Sequence, residues 1–344
     1  MEKNKKSKSS SKPVIGITIG DVNGIGPEVI IKALSDSRIL SIVTPVIYGS
    51  TKVLSYFRKN LGFEEFNYSQ VRDNYINHKK VNVVNCWNEV VEINVGTSSK
   101  DAGNYAFMAL ERAVKDLKEG RINGIVTGPI NKSNIQSEKF NFPGQTEYIT
   151  KESGSKDSLM MMVGEKLKVG LVTTHLPLKD VPNEITKKNL TAKLKIFIES
   201  LKKDFGINKP KIAVLGLNPH AGDEGLIGKE ETEVIQPVIE EFKNKGHLTY
   251  GPYPSDGFFG AAQHRNFDGI LAMYHDQGLI AFKTLSFEIG VNYTAGLDMI
   301  RTSPDHGTAY NLAGKNMASE ISMRSAIYLA IDIYKVRNPG TEEE

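Results

Sequence analysis

Three histidine residues each follow a short apolar segment of the kind that forms buried β-strands. His175 ends the stretch LKVGLVTTH, His220 ends KIAVLGLNPH and His275 ends GILAMYH. Ligands of open parallel sheets bind beyond the carboxyl ends of the strands, and imidazole nitrogens gathered there can hold a divalent metal ion that keeps open positions for a substrate. The pattern therefore indicates a metal site, and ordinary strand-end histidines with satisfied hydrogen bonds are the alternative.

A second set of polar residues suits an anionic ligand. Lys283, Asn292 and Arg301 follow His275 closely in the sequence, and the guanidinium group of an arginine offers a bidentate fork to phosphate or carboxylate. Surface salt bridges are the alternative for such cations. Upstream, residues 144–147 (GQTE) either add neutral donors or start a helix with a Thr/Glu cap.

The glycine-rich segment of residues 20–26 (GDVNGIG) lies between a predicted strand and a predicted helix. Such a loop can bring its backbone close to an anion, and a tight turn explains the glycines equally well. The segment matches neither G-x-G-x-x-G nor a phosphate-binding loop that ends in Gly-Lys-Ser/Thr, so neither nucleotide-binding fingerprint applies.

Charge and composition exclude several classes of protein. The chain has 344 residues, of which 43 are Lys or Arg and 40 are Asp or Glu, for a net charge of +3. Residues 1–12 carry five Lys and one Glu, so the remaining chain, with 38 basic and 39 acidic residues, has a net charge of −1. We therefore expect a disordered basic tail over residues 1–12 and a nearly neutral body without a nucleic-acid partner.

The single cysteine, Cys86, excludes an intramolecular disulfide framework, a Cys-rich zinc module and an iron–sulfur cluster. No run of 18 or more uncharged apolar residues occurs, which argues against a transmembrane helix. The basic tail also lacks the apolar core of a secretory signal. We expect a reduced, cytoplasmic protein with no membrane partner.

The order of predicted elements favours an α/β fold. Apolar, β-branched runs predict strands over Val14–Ile19, Thr44–Tyr48, Val81–Asn85, Gly124–Thr127, Lys168–Thr174, Lys211–Leu217 and Gly269–Tyr274, and residues 290–296 are more irregular. Helical spacing predicts helices over Pro27–Ser35, Lys52–Leu61, Ala102–Glu119, Leu190–Phe205, Glu230–Lys245 and Ser319–Lys335. This alternation predicts a mainly parallel sheet layered by helices on both faces.

Seven ordered motifs resemble the 4-hydroxythreonine-4-phosphate dehydrogenase family. They are GDVNGIGPE (20–28), TGPINK (127–132), FPGQTEY (142–148), TTHLPL (173–178), NPHAGDEG (218–225), YHDQG (274–278) and RTSPDHGTA (301–309). The resemblance extends from about Pro13 to Lys335, which is nearly the whole chain. Seven motifs in matching order are far more specific than any one of them.

The resemblance implies the α/β fold of isocitrate and isopropylmalate dehydrogenases, with two lobes and a cleft. We expect residues 13–130 and 293–338 to form the first lobe, residues 131–292 to form the second lobe with the metal ligands, and residues 339–344 to be a tail. It also implies the NAD-dependent oxidation and decarboxylation of 4-phosphooxy-L-threonine to 3-amino-2-oxopropyl phosphate, on the route to pyridoxine 5'-phosphate.

The same resemblance assigns residues to roles. It implies a divalent metal (Zn, Co or Mg) held by His175, His220 and His275, in a site completed across a homodimer interface. It places Lys283 and Asp256 in the catalytic set, and it names the contacts to the small phosphorylated substrate as Gln145, Thr146, Lys283, Asn292 and Arg301. The cofactor is NAD or NADP, and the resemblance does not say which residues contact it.

Two departures from the family pattern leave alternatives open. Gln145 stands where the family usually has His, and Asp223 stands where it usually has Glu. A first alternative is a dehydrogenase of a phosphorylated sugar acid, such as threonate or erythronate 4-phosphate. A second is a metal-dependent hydrolase or aldolase that uses the same histidines without NAD.

Overall fold

A twelve-stranded β-sheet forms the centre of the computed structural model, which describes residues 12–340 except residue 287. The predicted tails lie outside the described residues apart from residues 12, 339 and 340. In chain order the strands are β1 (Val14–Thr18), β2 (Thr44–Gly49), β3 (Tyr68–Gln70), β4 (Val81–Asn85), β5 (Gly124–Thr127), β6 (Leu159–Val163), β7 (Lys168–Leu171), β8 (Lys211–Leu215), β9 (Leu248–Tyr253), β10 (Gly269–Ala272), β11 (Val291–Ala295) and β12 (Arg301–Pro304).

The strands lie across the sheet in the order β3-β4-β2-β1-β5-β12-β11-β6-β7-β10-β8-β9. Among the described residues, eight of the eleven strand pairs are parallel, which confirms the predicted mainly parallel α/β sheet. The three antiparallel pairs join β12 to β11, β11 to β6, and β6 to β7. Because the direction reverses at each of these pairs, the strands between β3 and β12 run opposite to those between β7 and β9.

The predicted strands are present, with small differences at their ends. Val81–Asn85 and Gly124–Thr127 agree residue for residue with β4 and β5, whereas β7, β8 and β10 end two or three residues earlier than predicted. The more irregular segment of residues 290–296 contains β11, whereas β3, β6, β9 and β12 have no counterpart among the predicted strands. The sequence therefore locates eight of the twelve strands of the described residues, and it misses both edge strands of the sheet.

Helices pack against this sheet, and two of the three longest start at side-chain caps. Ser99 accepts a hydrogen bond from the N–H of Ala102 and Thr186 accepts one from Asn189, which fixes the first turns of two helices. The helices of the described residues are α1 (Gly26–Leu34), α2 (Thr51–Asn60), α3 (Lys100–Lys118), α4 (Gln145–Glu152), α5 (Val181–Glu184), α6 (Lys187–Lys203), α7 (Gln236–Asn244), α8 (Ser255–Gly260), α9 (His275–Ser286) and α10 (Ile321–Arg337). None of these helices is both long and apolar enough to cross a membrane.

An apolar cluster fixes the position of α9, the helix that begins at His275. Leu279 and Phe282 are buried in a cluster with side chains of β7, β8 and β10. Their spacing of three residues puts one face of α9 against the sheet. The same packing holds His275 at the start of the helix and Lys283 two turns further along.

The predicted division into two lobes stays a prediction. Its boundary between residues 292 and 293 falls inside β11, which is hydrogen-bonded to β12 on one side and to β6 on the other. The sheet is thus continuous across the boundary.

A buried ion pair ties the end of α6 to α10 and β11. The Asp204 side chain, 2% exposed, accepts hydrogen bonds from Arg337 Nε at 2.7 Å, Tyr293 Oη at 2.7 Å and Ser200 Oγ at 2.6 Å. Arg337 also donates to the backbone carbonyl groups of Leu297 and residue 298. Both charges are therefore fully partnered inside the protein.

We predict that the Arg337→Met substitution lowers the free energy of unfolding by about 3–5 kcal/mol, because it leaves a buried carboxylate without its cation. Urea denaturation followed by circular dichroism measures the change. The matched control is Arg38→Met, since the Arg38 side chain is 90% exposed in its pair with Asp36 and such pairs contribute at most about 1 kcal/mol. Equal losses in the two variants would contradict the prediction.

Candidate active site

The three histidines follow adjacent parallel strands, as the sequence predicts. His175 comes after β7, His275 after β10 and His220 after β8, and β10 pairs with both β7 and β8 in parallel. The carboxyl ends of these strands therefore share one edge of the sheet. The rings of His175 and His275 lie close together, with their centroids 5.8 Å apart.

His220 does not complete a three-ligand cluster within the described chain. In the part of the chain that the structure describes, no group of three or more His, Cys, Asp or Glu residues is arranged to hold a metal ion. His220 instead lies in an exposed loop in which its own φ is 54°. The single chain thus brings together two of the three predicted ligands.

The chemistry of the paired histidines fits a divalent metal. Nδ1 of His275 is 2.7 Å from Oδ1 of Asp276, an arrangement that orients the ring and leaves Nε2 for a ligand. Burial lowers the pKa of His175, and the positive charge of Lys132 lowers it further, so this imidazole is neutral as metal binding requires. Imidazole donors suit Zn²⁺ and Co²⁺ better than Mg²⁺, which prefers oxygen ligands.

Arg301 is a buried cation whose side-chain hydrogen bonds all go to neutral hydroxyl groups. The residue is 4% exposed, and its guanidinium donates to the hydroxyl oxygens of Thr127 at 2.8 and 3.1 Å, Thr294 at 3.1 Å and Thr146 at 3.3 Å. Burial lowers the pKa of Arg301 to about 10, and the negative charge of Glu147 acts in the opposite direction. Because no carboxylate is hydrogen-bonded to this buried charge and burial is costly, the geometry suits an anionic ligand.

Two amide side chains present unsatisfied oxygen atoms. Gln145, at the start of α4, donates from Nε2 to the carbonyl oxygen of Gly128 at 3.1 Å, while its Oε1 is buried and has no hydrogen-bond partner among the described residues. The same holds for Oδ1 of Asn292 on β11. Since buried acceptors are normally paired, both atoms are available to the donor groups of a ligand.

Lys283 forms an ion pair rather than a contact with Arg301 or Gln145. Its Nζ lies 3.2 Å from Oδ2 of Asp305, just after β12. Burial raises the pKa of Asp305, and the ammonium group of Lys283 acts in the opposite direction. Asp256 is exposed on α8, and within the described residues it has no hydrogen bond or ion pair.

A cleft lies between α4 and His175. It has a volume of about 480 Å³, and its walls include Thr146 and Glu147 of α4, His175, and the cationic side chains of Lys151 and Lys193. A second cavity of about 430 Å³ shares His175 with the first and reaches His275. A ligand can therefore contact α4 and the histidine edge at the same time.

The glycine loop of residues 20–26 packs closely against other segments of the backbone. A Cβ on Gly20 would lie 2.4 Å from the carbonyl oxygen of Pro129, and one on Gly24 would lie 2.8 Å from that of Thr308. These close approaches explain the glycines, as the tight-turn interpretation expects. Among the described residues, Oδ1 of Asn134 and Nε2 of His306 are also buried without hydrogen-bond partners.

Sequence reasoning misses three residues that the site uses. Thr127 and Thr294 hold the guanidinium group of Arg301, and Asp305 pairs with Lys283. Thr127 and Asp305 belong to the motifs TGPINK and RTSPDHGTA, which is the signal that could have found them. Thr294 belongs to none of the motifs.

Comparisons with known proteins agree on one family. Residues 41–330 match the family described as "Pyridoxal phosphate biosynthetic protein PdxA". A 4-hydroxythreonine-4-phosphate dehydrogenase from Bacteroides thetaiotaomicron is 52% identical over 325 residues, which cover 94% of this chain and 89% of that protein. A putative D-threonate 4-phosphate dehydrogenase from Oceanobacillus iheyensis is 38% identical and covers 94% of this chain and 98% of its own length.

A solved structure is similar over almost the same span. The crystal structure of 4-hydroxythreonine-4-phosphate dehydrogenase from Klebsiella pneumoniae superposes with a TM-score of 0.80 at 34% sequence identity, covering 94% of this chain and 98% of that one. Sequence and fold therefore point to the same relatives.

We predict that Arg301→Met raises the free energy of unfolding of the ligand-free protein by about 1–3 kcal/mol, because it removes a buried charge to which no carboxylate is hydrogen-bonded. Inorganic phosphate raises the melting temperature of the wild type by binding the folded state, and the variant loses this effect. Differential scanning calorimetry with and without phosphate measures both changes. A variant that is less stable than the wild type yet still stabilised by phosphate would contradict the anion site.

Proposed function

Since the chain belongs to the PdxA family of pyridoxal phosphate biosynthetic proteins, we propose that it catalyses the oxidation of 4-phosphooxy-L-threonine by a nicotinamide dinucleotide, followed by decarboxylation. The product is 3-amino-2-oxopropyl phosphate, a precursor of pyridoxine 5'-phosphate. One cysteine in the whole chain suits a reducing compartment, and we place the reaction in the cytoplasm.

The observation that carries this proposal is the buried guanidinium of Arg301. The substrate has a phosphate and a carboxylate, and either anion compensates a cation whose present partners are only hydroxyl groups. Thr146 and the start of α4 flank the same position and add donors for the oxygen atoms of the anion. Binding at this point directs the rest of the substrate along the cleft toward His175.

The other named residues have roles that their surroundings permit. Lys283 lies 3.2 Å from Asp305; once its own proton has passed to that carboxylate, its amine would take the proton of the C3 hydroxyl and later return it to the carbon left by carbon dioxide. The unpaired Oδ1 of Asn292 accepts from the ammonium or hydroxyl group of the substrate, and Oε1 of Gln145 accepts in the same way. Asp256, exposed and unpaired among the described residues, is available to the ammonium group.

A bound metal and a bound dinucleotide would supply chemistry that these side chains lack. His175, His220 and His275 would hold a divalent metal that serves as a Lewis acid, and the oxidised dinucleotide would serve as the hydride acceptor. Removal of the hydroxyl proton and of the hydride, which carries the two electrons, would give a β-keto acid. Loss of carbon dioxide would then leave an electron pair on the adjacent carbon, which would take a proton from Lys283.

A phosphorylated sugar acid is the second candidate substrate. Gln145 replaces the His that the family usually has, and the relative from Oceanobacillus iheyensis is named for D-threonate 4-phosphate. This acid has a hydroxyl group where 4-phosphooxy-L-threonine has an ammonium group, so a neutral amide at position 145 suits it.

We predict that the purified protein with Zn²⁺ or Co²⁺ and NAD forms NADH from 4-phosphooxy-L-threonine, and that removal of the metal by a chelator abolishes the activity until metal is restored. Absorbance at the NADH band measures the rate. A higher kcat/KM for D-threonate 4-phosphate would replace the first substrate by the second. Turnover of either substrate without any nicotinamide would favour the hydrolase or aldolase.

We also propose that the metal site is completed across a homodimer, with His175 and His220 supplied by different copies. Large apolar side chains are exposed around the edge that carries the histidines, namely Leu176 and Leu178 after β7, Leu226 and Ile227 after β8, and Ile280 on α9. Such a patch on a folded surface is typical of a protein–protein interface. A second copy at this edge would cover the patch and bring its own histidines to the site.

Mixing two inactive variants tests this sharing. We predict that His175→Ala and His220→Ala homodimers are both inactive, and that co-refolding them in equal amounts restores about a quarter of the wild-type activity, because half of the dimers are mixed and each has one intact site. Refolded wild-type protein is the control for recovery. Absence of any recovery, with mixed dimers demonstrated by affinity tags, would show that both histidines come from one copy.

A further inference from the structure

The loop that carries His220 has a backbone conformation that L-amino acids rarely adopt. Five successive residues, His220 to Glu224, have φ values of 54°, 52°, 84°, 43° and 55°, and only the third is a glycine. Left-handed backbone costs roughly 1–2 kcal/mol for each such residue. Conformations of this kind persist only where the surroundings determine them. A residue that precedes or follows the loop in sequence must therefore hold the loop in this conformation.

Glu231 contacts this loop from the interior of the protein. Its side chain is in the interior, and Oε1 accepts hydrogen bonds from the backbone N–H groups of Leu217 and Asn218, both at 2.7 Å. Oε2 accepts from Nδ2 of Asn218 at 2.9 Å. These bonds fix the two residues that lead from β8 into the loop.

The far side of the loop closes over the same carboxylate. A Cβ on Gly222 would lie only 2.6 Å from Oε2 of Glu231, and one on Gly216 would lie 3.2 Å from Oε1. The loop is then closed on itself by bonds from the N–H of Ala221 to the carbonyl of Asn218 and from the N–H of Ile227 to that of Gly222. The loop therefore surrounds the buried carboxylate of Glu231, and His220 is part of this loop.

Among the described residues this carboxylate has no cationic partner, and its hydrogen bonds are those to N–H groups of residues 217 and 218. A buried carboxylate depends on such hydrogen bonds, and all three come from the residues that lead into the loop. Glu231 also begins a π-helical turn, Glu231–Ile235, ahead of α7, and π-helical turns are frequent near functional sites. The carboxylate thus ties the start of the loop to the helical segment that follows it.

We infer that Glu231 is a positioning residue for His220: its carboxylate holds the left-handed loop in the one conformation that presents the imidazole to the metal. The inference rests on the metal site of the proposed function. It predicts that loss of the carboxylate weakens metal binding even though Glu231 does not touch the metal. Groups that orient metal ligands in this way are worth about 10- to 100-fold in affinity.

The test compares Co²⁺ binding by dimeric wild-type protein and the Glu231→Gln variant, using competition with a chromogenic chelator and the visible spectrum of bound Co²⁺. Gln has the same size, but its amide nitrogen replaces an acceptor that faces N–H donors. We expect at least a 10-fold loss of Co²⁺ affinity, an altered spectrum, and a kcat that falls more than KM rises. If this variant does not fold, Glu231→Asp, which retains the charge but not the reach, carries the same expectation.

Two controls separate positioning from a general loss of stability. Glu230→Gln removes a partly exposed carboxylate that contacts the same Asn218 at 2.7 Å, and Arg337→Met destabilises the protein far from the loop. Both are expected to bind Co²⁺ within about 3-fold of the wild type, on the scale of single exposed contacts. Unchanged Co²⁺ affinity in Glu231→Gln, or an equal loss in both controls, would overturn the inference.

The outcomes also distinguish this inference from the proposed function. A wild type that binds Co²⁺ but yields no NADH from either phosphorylated substrate would overturn the reaction and leave the comparison of affinities intact. A wild type with no Co²⁺ affinity would overturn both the metal site and the positioning role.

Discussion

The reversal of strand direction in the centre of the sheet is the constraint on which the candidate site depends. β11 and β6 insert antiparallel pairs between two parallel halves, so that β12 and β7 come within three strands of each other while their halves run in opposite directions. Arg301 begins β12 and Thr294 lies near the end of β11, and this places the guanidinium on the central strands. Thr146 of α4 contacts Arg301 and also lines the cleft whose walls include His175.

The sequence locates those strands that a local apolar, β-branched run marks. β4 and β5 are short runs of this kind bounded by turns, and such runs are recognisable without knowledge of their neighbours. The sequence predicts the three histidines at a shared edge for the same reason, since each follows such a run. β3, β6, β9 and β12 escape prediction, and β11 is recognised only as an irregular segment because residues such as Asn292 and Thr294 interrupt its apolar pattern.

Contacts between distant parts of the chain explain what sequence reasoning could not supply. The hydroxyl of Thr127 reaches Arg301 across 174 positions of sequence, and only the register of β5 against β12 decides that contact. The separation of His220 from the other two histidines likewise depends on loop geometry after the strands, where five positive φ values occur in residues without any glycine signature except Gly222. Motif membership can identify such residues but not their partners.

A comparison of two buried arginines shows what marks a functional cation in this fold. The Arg337 side chain is 9% exposed and forms an ion pair with the buried carboxylate of Asp204. Its charge is therefore neutralised within the protein, where the pair holds α10 to the sheet. Arg301 is at least as deeply buried, yet every acceptor it has is a hydroxyl group. Burial is the same in both cases, and charge compensation is what differs. A buried cation without a hydrogen-bonded carboxylate, whose partner Thr146 lines a cleft together with His175, is explained by a ligand that brings a negative charge.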